Sequence, residues 1–169
     1  DVAYSDHPVK LVGISAGVSY GALGTTHHSL HDLAVLQAIN NIDIVAPADN
    51  FETRALVRAS VTHPRPLYIR LGKKPMRHLH TPDTPFTIGK AIQMRKGSDV
   101  AFLSTGETVE TAVLAADALG ERGISAGVLS IHSIRPFDEA AVLEVAKQVQ
   151  AIVTVEEHSV NGGLGSRVA

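Results

Sequence analysis

Residues 42–60 read IDIVAPADNFETRALVRAS, and the reading of this stretch decides the fold. Residues 42–46 form an apolar run short enough for a buried strand, closed by Pro47. Asp49 is followed three residues later by Glu52, a capping-box pattern with Asp in place of Ser or Thr. A helix is therefore predicted to start there and to run to about Ser60. Upstream, residues 9–16 (VKLVGISA) read as another buried strand, and residues 30–39 carry apolar side chains at helical spacing. Downstream, residues 67–71 (LYIRL) read as the next strand.

The same alternation returns after residue 86. Strands are predicted at 100–104, 126–131 and 151–155, with helices at 107–119 and 137–149, the latter entered through Pro136. NGGLGSRVA at 161–169 reads as the first turn of one more helix. Strands separated by helices of this length imply parallel pairing with right-handed crossovers. The predicted class is α/β, with two α/β units and mostly parallel sheets. The units are residues 1–71 and 87–169. Between them, GKKPMRHLHTPDTPF (72–86) has three prolines and no periodicity, so a linker is expected. Both ends look cut. The first unit has few strands for a doubly wound domain, which points to completion by another segment.

Composition narrows the function. Net charge is -2, which gives no electrostatic basis for a nucleic-acid or anionic-membrane partner. No apolar run approaches a membrane span, and no secretory leader pattern opens the sequence. The absence of cysteine excludes disulfides and thiol chemistry and fits a cytoplasmic setting.

TTHHSLHD at 25–32 holds three of the nine histidines. Three readings compete for it. His27 and His31 at i, i+4 suit zinc if one helix carries both. Ser29 with Asp32 is a better helix start, however, and it leaves His27 and His28 in a glycine-punctuated loop. The cluster is then either an inert helix entrance or a loop presenting a proton-exchanging imidazole at the carboxyl edge of a parallel sheet, where α/β proteins place their sites. Arg70 ends a predicted strand at that edge, and its planar fork suits phosphate or carboxylate. Lys73, Lys74 and Arg77 read as a solvated basic linker. Glu156-Glu157-His158 reads as structural, because adjacent strand residues point to opposite faces.

Taken together, GALGTTHHSLHDLAVLQAINNIDIVAPADNFETRALV resembles the transketolase-type pyrimidine-binding domain of thiamine-diphosphate enzymes. The motifs are Gly24-Thr25-Thr26-His27, Asp32, Leu33-Ala34-Val35-Leu36, Pro47-Ala48-Asp49 and Glu52. SDVAFLSTGETVETAVLAADAL, SIHSIRPFDEAAV and AIVTVEEHSVNGGLGS are similar to the transketolase C-terminal domain.

This resemblance implies an enzyme that moves a two-carbon ketol unit between sugar phosphates or related substrates, using thiamine diphosphate and a divalent metal such as Mg. It implies that His27 is catalytic and that Arg70 grips a substrate phosphate, with Ser15, His28 and Asp32 as further substrate-binding candidates. Ser15 stands where transketolases proper often have a second histidine, and Leu23 where an aspartate is usual, so a divergent transketolase-like enzyme is expected. The family's activating glutamate, its stacking aromatic and its GDG…N metal motif belong to segments absent from this sequence. The chain is thus expected to be inactive alone, to need an N-terminal catalytic domain or chain, and to dimerise. The deoxyxylulose-phosphate synthase and 2-oxo-acid dehydrogenase β branches are alternatives. A non-catalytic dimerisation module is an alternative of another class.

Overall fold

The computed structural model of the chain describes residues 1–169. The strands are β1 (Lys10–Gly13), β2 (Asp43–Val45), β3 (Leu67–Arg70), β4 (Ile92–Arg95), β5 (Val100–Ser104), β6 (Ala126–Ser130), β7 (Ser133–Arg135) and β8 (Ala151–Val155). The helices are α1 (Asp32–Gln37), α2 (Asn50–Ser60), α3 (Thr108–Gly120), α4 (Glu139–Ala146) and α5 (Leu164–Val168), with a 3-10 helix at Gly21–His27. Two four-stranded sheets result, in the orders β1-β3-β2-β7 and β4-β6-β5-β8. Pairings β1–β3, β2–β3, β5–β6 and β5–β8 are parallel, as the βα alternation requires. Two pairings are antiparallel, β2–β7 and β4–β6, and they close one edge of each sheet. No helix is long and apolar enough to cross a membrane.

The 42–60 stretch folds as a strand feeding a capped helix. Asp49 accepts from the Glu52 backbone N–H at 2.9 Å. The Glu52 carboxylate reaches one residue further back than a capping box would, to the Ala48 N–H at 2.6 Å. Two other helices are shorter than their periodicity suggests. Helix α1 starts at Asp32 without a side-chain cap, because Ser29 is drawn into a bridge with Gly17 and Asp32 into an ion pair. Helix α4 begins not at Phe137 but after Asp138, whose side chain accepts from the Ala141 N–H.

Strand β7 follows β6 after only Ile131 and His132, yet it pairs into the other sheet. The two sheets are therefore interlocked. Their shared core joins Leu33 and Ile44 to Leu103, Leu129, Ile131, Ile134 and Leu164. Helix α2 seals the first sheet through Val45, Leu56, Leu67 and Ile69. Helix α3 seals the second through Ala112, Ala116, Ala126 and Val128. The segment 72–86 is docked onto this body. Leu79 and His80 donate their backbone N–H groups to Asp49, and the His80 side chain is buried between Asp49 and Glu52.

Strand β1 is the exception to this coverage. It lies at an open edge, with Leu11, Val12 and Ile14 exposed. Parallel sheets normally have both faces covered.

Candidate functional site

Because β1, β2 and β3 run parallel, their carboxyl ends share one edge, and the loops after them meet there. The loop after β1 holds Ser15 in the left-handed region (φ 66) and then the 3-10 helix, broken at Gly24 (φ 70), with His27 as its last residue. The His27 side chain is exposed. Its Nδ1 lies 3.0 Å from Thr26 Oγ1. The Tyr20 ring meets it edge-on at 5.6 Å. Above the same Tyr20 ring sits the Lys73 ammonium, 3.5 Å from the centroid. An exposed imidazole and an ammonium thus share one aromatic support.

Beneath this loop lies a clasp. Arg70 is only 5% exposed. Its Nε donates to Asp32 Oδ2 at 2.8 Å, and its Nη2 donates to Asp32 Oδ1, to the Ser29 carbonyl and to the Glu157 carbonyl. Tyr68 Oη also donates to Asp32, at 2.9 Å. Burial pushes the Asp32 carboxyl up, but the Arg70 hydrogen bonds and charge, aided by Tyr68 and Ser29, outweigh it and hold the group below its ordinary range. Arg70 and Asp32 are brought together, but onto each other rather than towards open space. Ser15 is half-buried, and its side chain makes no hydrogen bond within the chain. His28 is half-buried, with Nε2 buried and unpartnered. His31 faces the His158 ring instead of His27. No group of three His, Asp or Glu side chains is placed to hold a metal ion.

The second sheet supports the site from below. Glu157 Oε2 accepts from the Val18 N–H at 3.0 Å. Gly17, in the left-handed region, lies so close to Glu157 that a β-carbon there would collide with it. Glu156 caps α5, accepting from the Leu164 and Gly165 N–H groups. His158 Nε2 accepts from the Ala34 N–H at 3.4 Å. The Glu156-Glu157-His158 run is thus the seam between the two sheets. Glu107 is buried in the space that Gly72 leaves free, and neither of its oxygens has a hydrogen-bond partner. Burial, then the nearby Glu157 charge, push its carboxyl up. It borders a cavity of about 170 Å³ with Asp49, Asn50, Thr53 and Lys74.

Sequence reasoning gave no role to Tyr20 or Glu107 and read Lys73 only as part of a solvated basic linker. A lone aromatic inside a glycine-rich loop, and a glycine two residues past the end of strand β3, were the available signals.

Residues 1–78 match the family model described as transketolase, pyrimidine binding domain, and residues 89–169 match that of transketolase, C-terminal domain. The chain is 46% identical over 169 residues to a subunit of the apulose-4-phosphate transketolase of Phocaeicola vulgatus, covering 99% of this chain and 54% of that protein. It is 41% identical over 168 residues to a subunit of the 6-deoxy-6-sulfo-D-fructose transketolase of a Clostridium species, covering 99% of this chain and 52% of that protein. A solved structure described as a split gene transketolase, inactive beta4 tetramer, superposes with a TM-score of 0.91 at 35% identity, over 99% of this chain and 54% of that one. The chain spans about half the length of the curated relatives it matches.

Proposed function

The chain belongs to the transketolase family, and from that premise we propose that it supplies the substrate-facing side of a ketol-transfer site completed by an N-terminal catalytic chain or domain. The observation that carries this reading is His27, an exposed imidazole at the sheet's carboxyl edge on a loop clasped by Arg70 and Asp32. Relatives named as one subunit of a transketolase support a two-part enzyme. So does the uncovered apolar strand β1, which suits the surface of a partner.

The family depends on thiamine diphosphate, which, when bound, supplies the electron sink for breaking and making the carbon–carbon bond. The fit of this chain to that group is partial. His27 is open to whatever lies outside the edge, but no three acidic or imidazole side chains converge to hold the metal. We assign the diphosphate and metal ligands to the partner. The residues of this chain then bind, orient and move protons. His27 exchanges a proton with the substrate oxygen, and the contact of Nδ1 with the Thr26 hydroxyl leaves Nε2 for that exchange. Ser15 and His28 line the approach. Arg70 and Asp32 hold the loop's geometry, and they stand at the same edge as candidates for substrate contact, Arg70 for the anionic end.

The test is reconstitution. The chain is combined with its N-terminal partner, thiamine diphosphate and Mg, and two-carbon transfer from ketose donors is measured. Transfer by the mixture but not by the chain alone is expected. His27→Ala is expected to lower kcat/KM about a hundredfold, the scale of a lost general acid–base group. Absence of transfer with every donor in the reconstituted enzyme would leave the non-catalytic module as the better reading.

A further inference from the structure

A second cleft opens on the flank of α2. It has a volume of about 340 Å³ and lies between that helix and residues 80–86, with Ile92 of β4 also lining it. We propose that this cleft binds a phosphomonoester carried on a flat, apolar ring, held by Arg54 and Arg58. Such a site is independent of the ketol-transfer reading, because none of its residues comes from the loop after β1 or from β3.

The first observation is a pair of cations without partners. Arg54 and Arg58 stand one turn apart on α2, both exposed and both lining the cleft. Neither pairs with a carboxylate, whereas Arg65, Arg70, Arg77 and Arg95 each do. The second is His80. It is 6% exposed, and its ring nitrogens lie 3.2 Å from Asp49 and 3.3 Å from Glu52, yet neither nitrogen makes a hydrogen bond. The one carboxylate of the cleft, Glu52, is engaged: it accepts from the Ala48 N–H and the Ser130 hydroxyl and faces the His80 ring. The balance of charge in the cleft is therefore positive. The third is the apolar wall. Phe51, Phe86 and Ile92 line the cleft, and Phe86 is braced by the His132 ring stacked on it at 4.3 Å. Thr81 and Thr84 add hydroxyls from a closed turn, in which the Thr84 hydroxyl accepts from the Thr81 N–H at 3.0 Å.

Two guanidiniums one turn apart match a doubly charged, tetrahedral oxyanion, because each fork donates a parallel pair of N–H groups to its oxygens. A monocarboxylate would satisfy one arginine and leave the other without a counter-charge. The aromatic wall calls for a flat body, since rings meet by offset stacking or edge to face. The volume lies in the lower range of small-ligand clefts and admits a single ring bearing one phosphate. With the arginines on α2 and the hydroxyls on residues 80–86, a bound ligand bridges the two segments.

Phenyl phosphate is the probe, titrated calorimetrically into the full chain, with inorganic phosphate, phenol and benzoate alongside. Phenyl phosphate is expected to bind more tightly than any of the other three. Arg54→Ala and Arg58→Ala are each expected to weaken it about tenfold, the worth of one charge-assisted contact. Both side chains are exposed and unpaired, so the fold is expected to be unchanged in these variants. Ala55→Leu, which keeps both charges and fills space in the cleft, is expected to weaken phenyl phosphate but not inorganic phosphate. Bound probe is also expected to slow proteolytic cleavage within residues 80–86. Equal binding of phenyl phosphate and inorganic phosphate, indifferent to Ala55→Leu, would reduce the site to a surface ion contact and overturn the proposal. So would absence of binding in the wild type, or binding that survives removal of both arginines, which places the anion elsewhere. If the chain binds the probe through Arg54 and Arg58 but the reconstituted enzyme transfers no ketol unit, the ketol-transfer reading fails and the cleft stands.

Discussion

Arg70 shows how one side chain decides what its neighbours can do. A guanidinium at the end of a strand reads as an anion grip, and the family resemblance strengthens that reading. In the folded chain it closes a bidentate pair with Asp32 and ties the Ser29 and Glu157 carbonyls together. Breaking such a pair from one side strands a buried charge. Arg70→Leu is therefore expected to cost about 3–5 kcal/mol in urea unfolding, whereas Arg70→Leu combined with Asp32→Leu recovers much of that loss. A substrate-gripping arginine would behave differently, with stability little changed and KM raised. The loop position of His27 was legible in sequence because its motif is local. The commitment of Arg70 was not, because its partners lie 38, 41 and 87 residues away.

At the scale of elements, what was legible depended on how local the forces are. Strand β2 and helix α2 follow directly from IDIVAPADNFETRALVRAS, since an apolar run, a proline and an Asp cap act within a few residues. Strands β4 and β7 carry no comparable signal. They have four and three residues, and they exist because an antiparallel edge was there to be filled. The segment 72–86 looked like a linker because prolines remove periodicity, yet Asp49 pins it. One Asp49 oxygen caps α2, and the other accepts from Leu79 and His80. Asp49→Ala is accordingly expected to cost about 2–4 kcal/mol, a lost cap plus stranded buried donors. Urea unfolding measures this, and limited proteolysis should find new cleavage within 72–86. Asp49→Asn, which keeps a capping oxygen, should cost less.

At the scale of the whole molecule, His132 sits where the chain passes from one sheet to the other. It is fully buried and stacked on Phe86 at 4.3 Å, with Nδ1 bonded to Ser133 Oγ and Nε2 unpartnered. Burial, then the nearby His80 charge, push its pKa down to about 4. A base depressed in the fold stabilises it above the unfolded value near 6.5 and loses that contribution as pH falls towards 4. The loss is about 3 kcal/mol over that window. Denaturant midpoints at pH 7, 5.5 and 4 should fall together for both sheets. His132→Gln, which cannot take up the proton, should flatten that fall. His80 is shifted the other way: burial lowers it, and the Asp49 carboxylate paired with its ring at 3.2 Å, together with the Glu52 charge, more than compensates. Its contribution is present below the ordinary histidine value and is lost as pH rises above it, so the two windows do not overlap.

The route of β7 also bears on how the protein is made. The first sheet takes its last strand from residues 133–135, after β4, β5 and β6 have already been synthesised. During translation, β1, β2 and β3 leave the ribosome before β7 exists, with Ile44 and Val45 lacking their neighbour on that side. The amino-terminal half cannot be finished early and set aside. Its edge strand β7 is made only after β4, β5 and β6, so completion of the first sheet is tied to synthesis of the second.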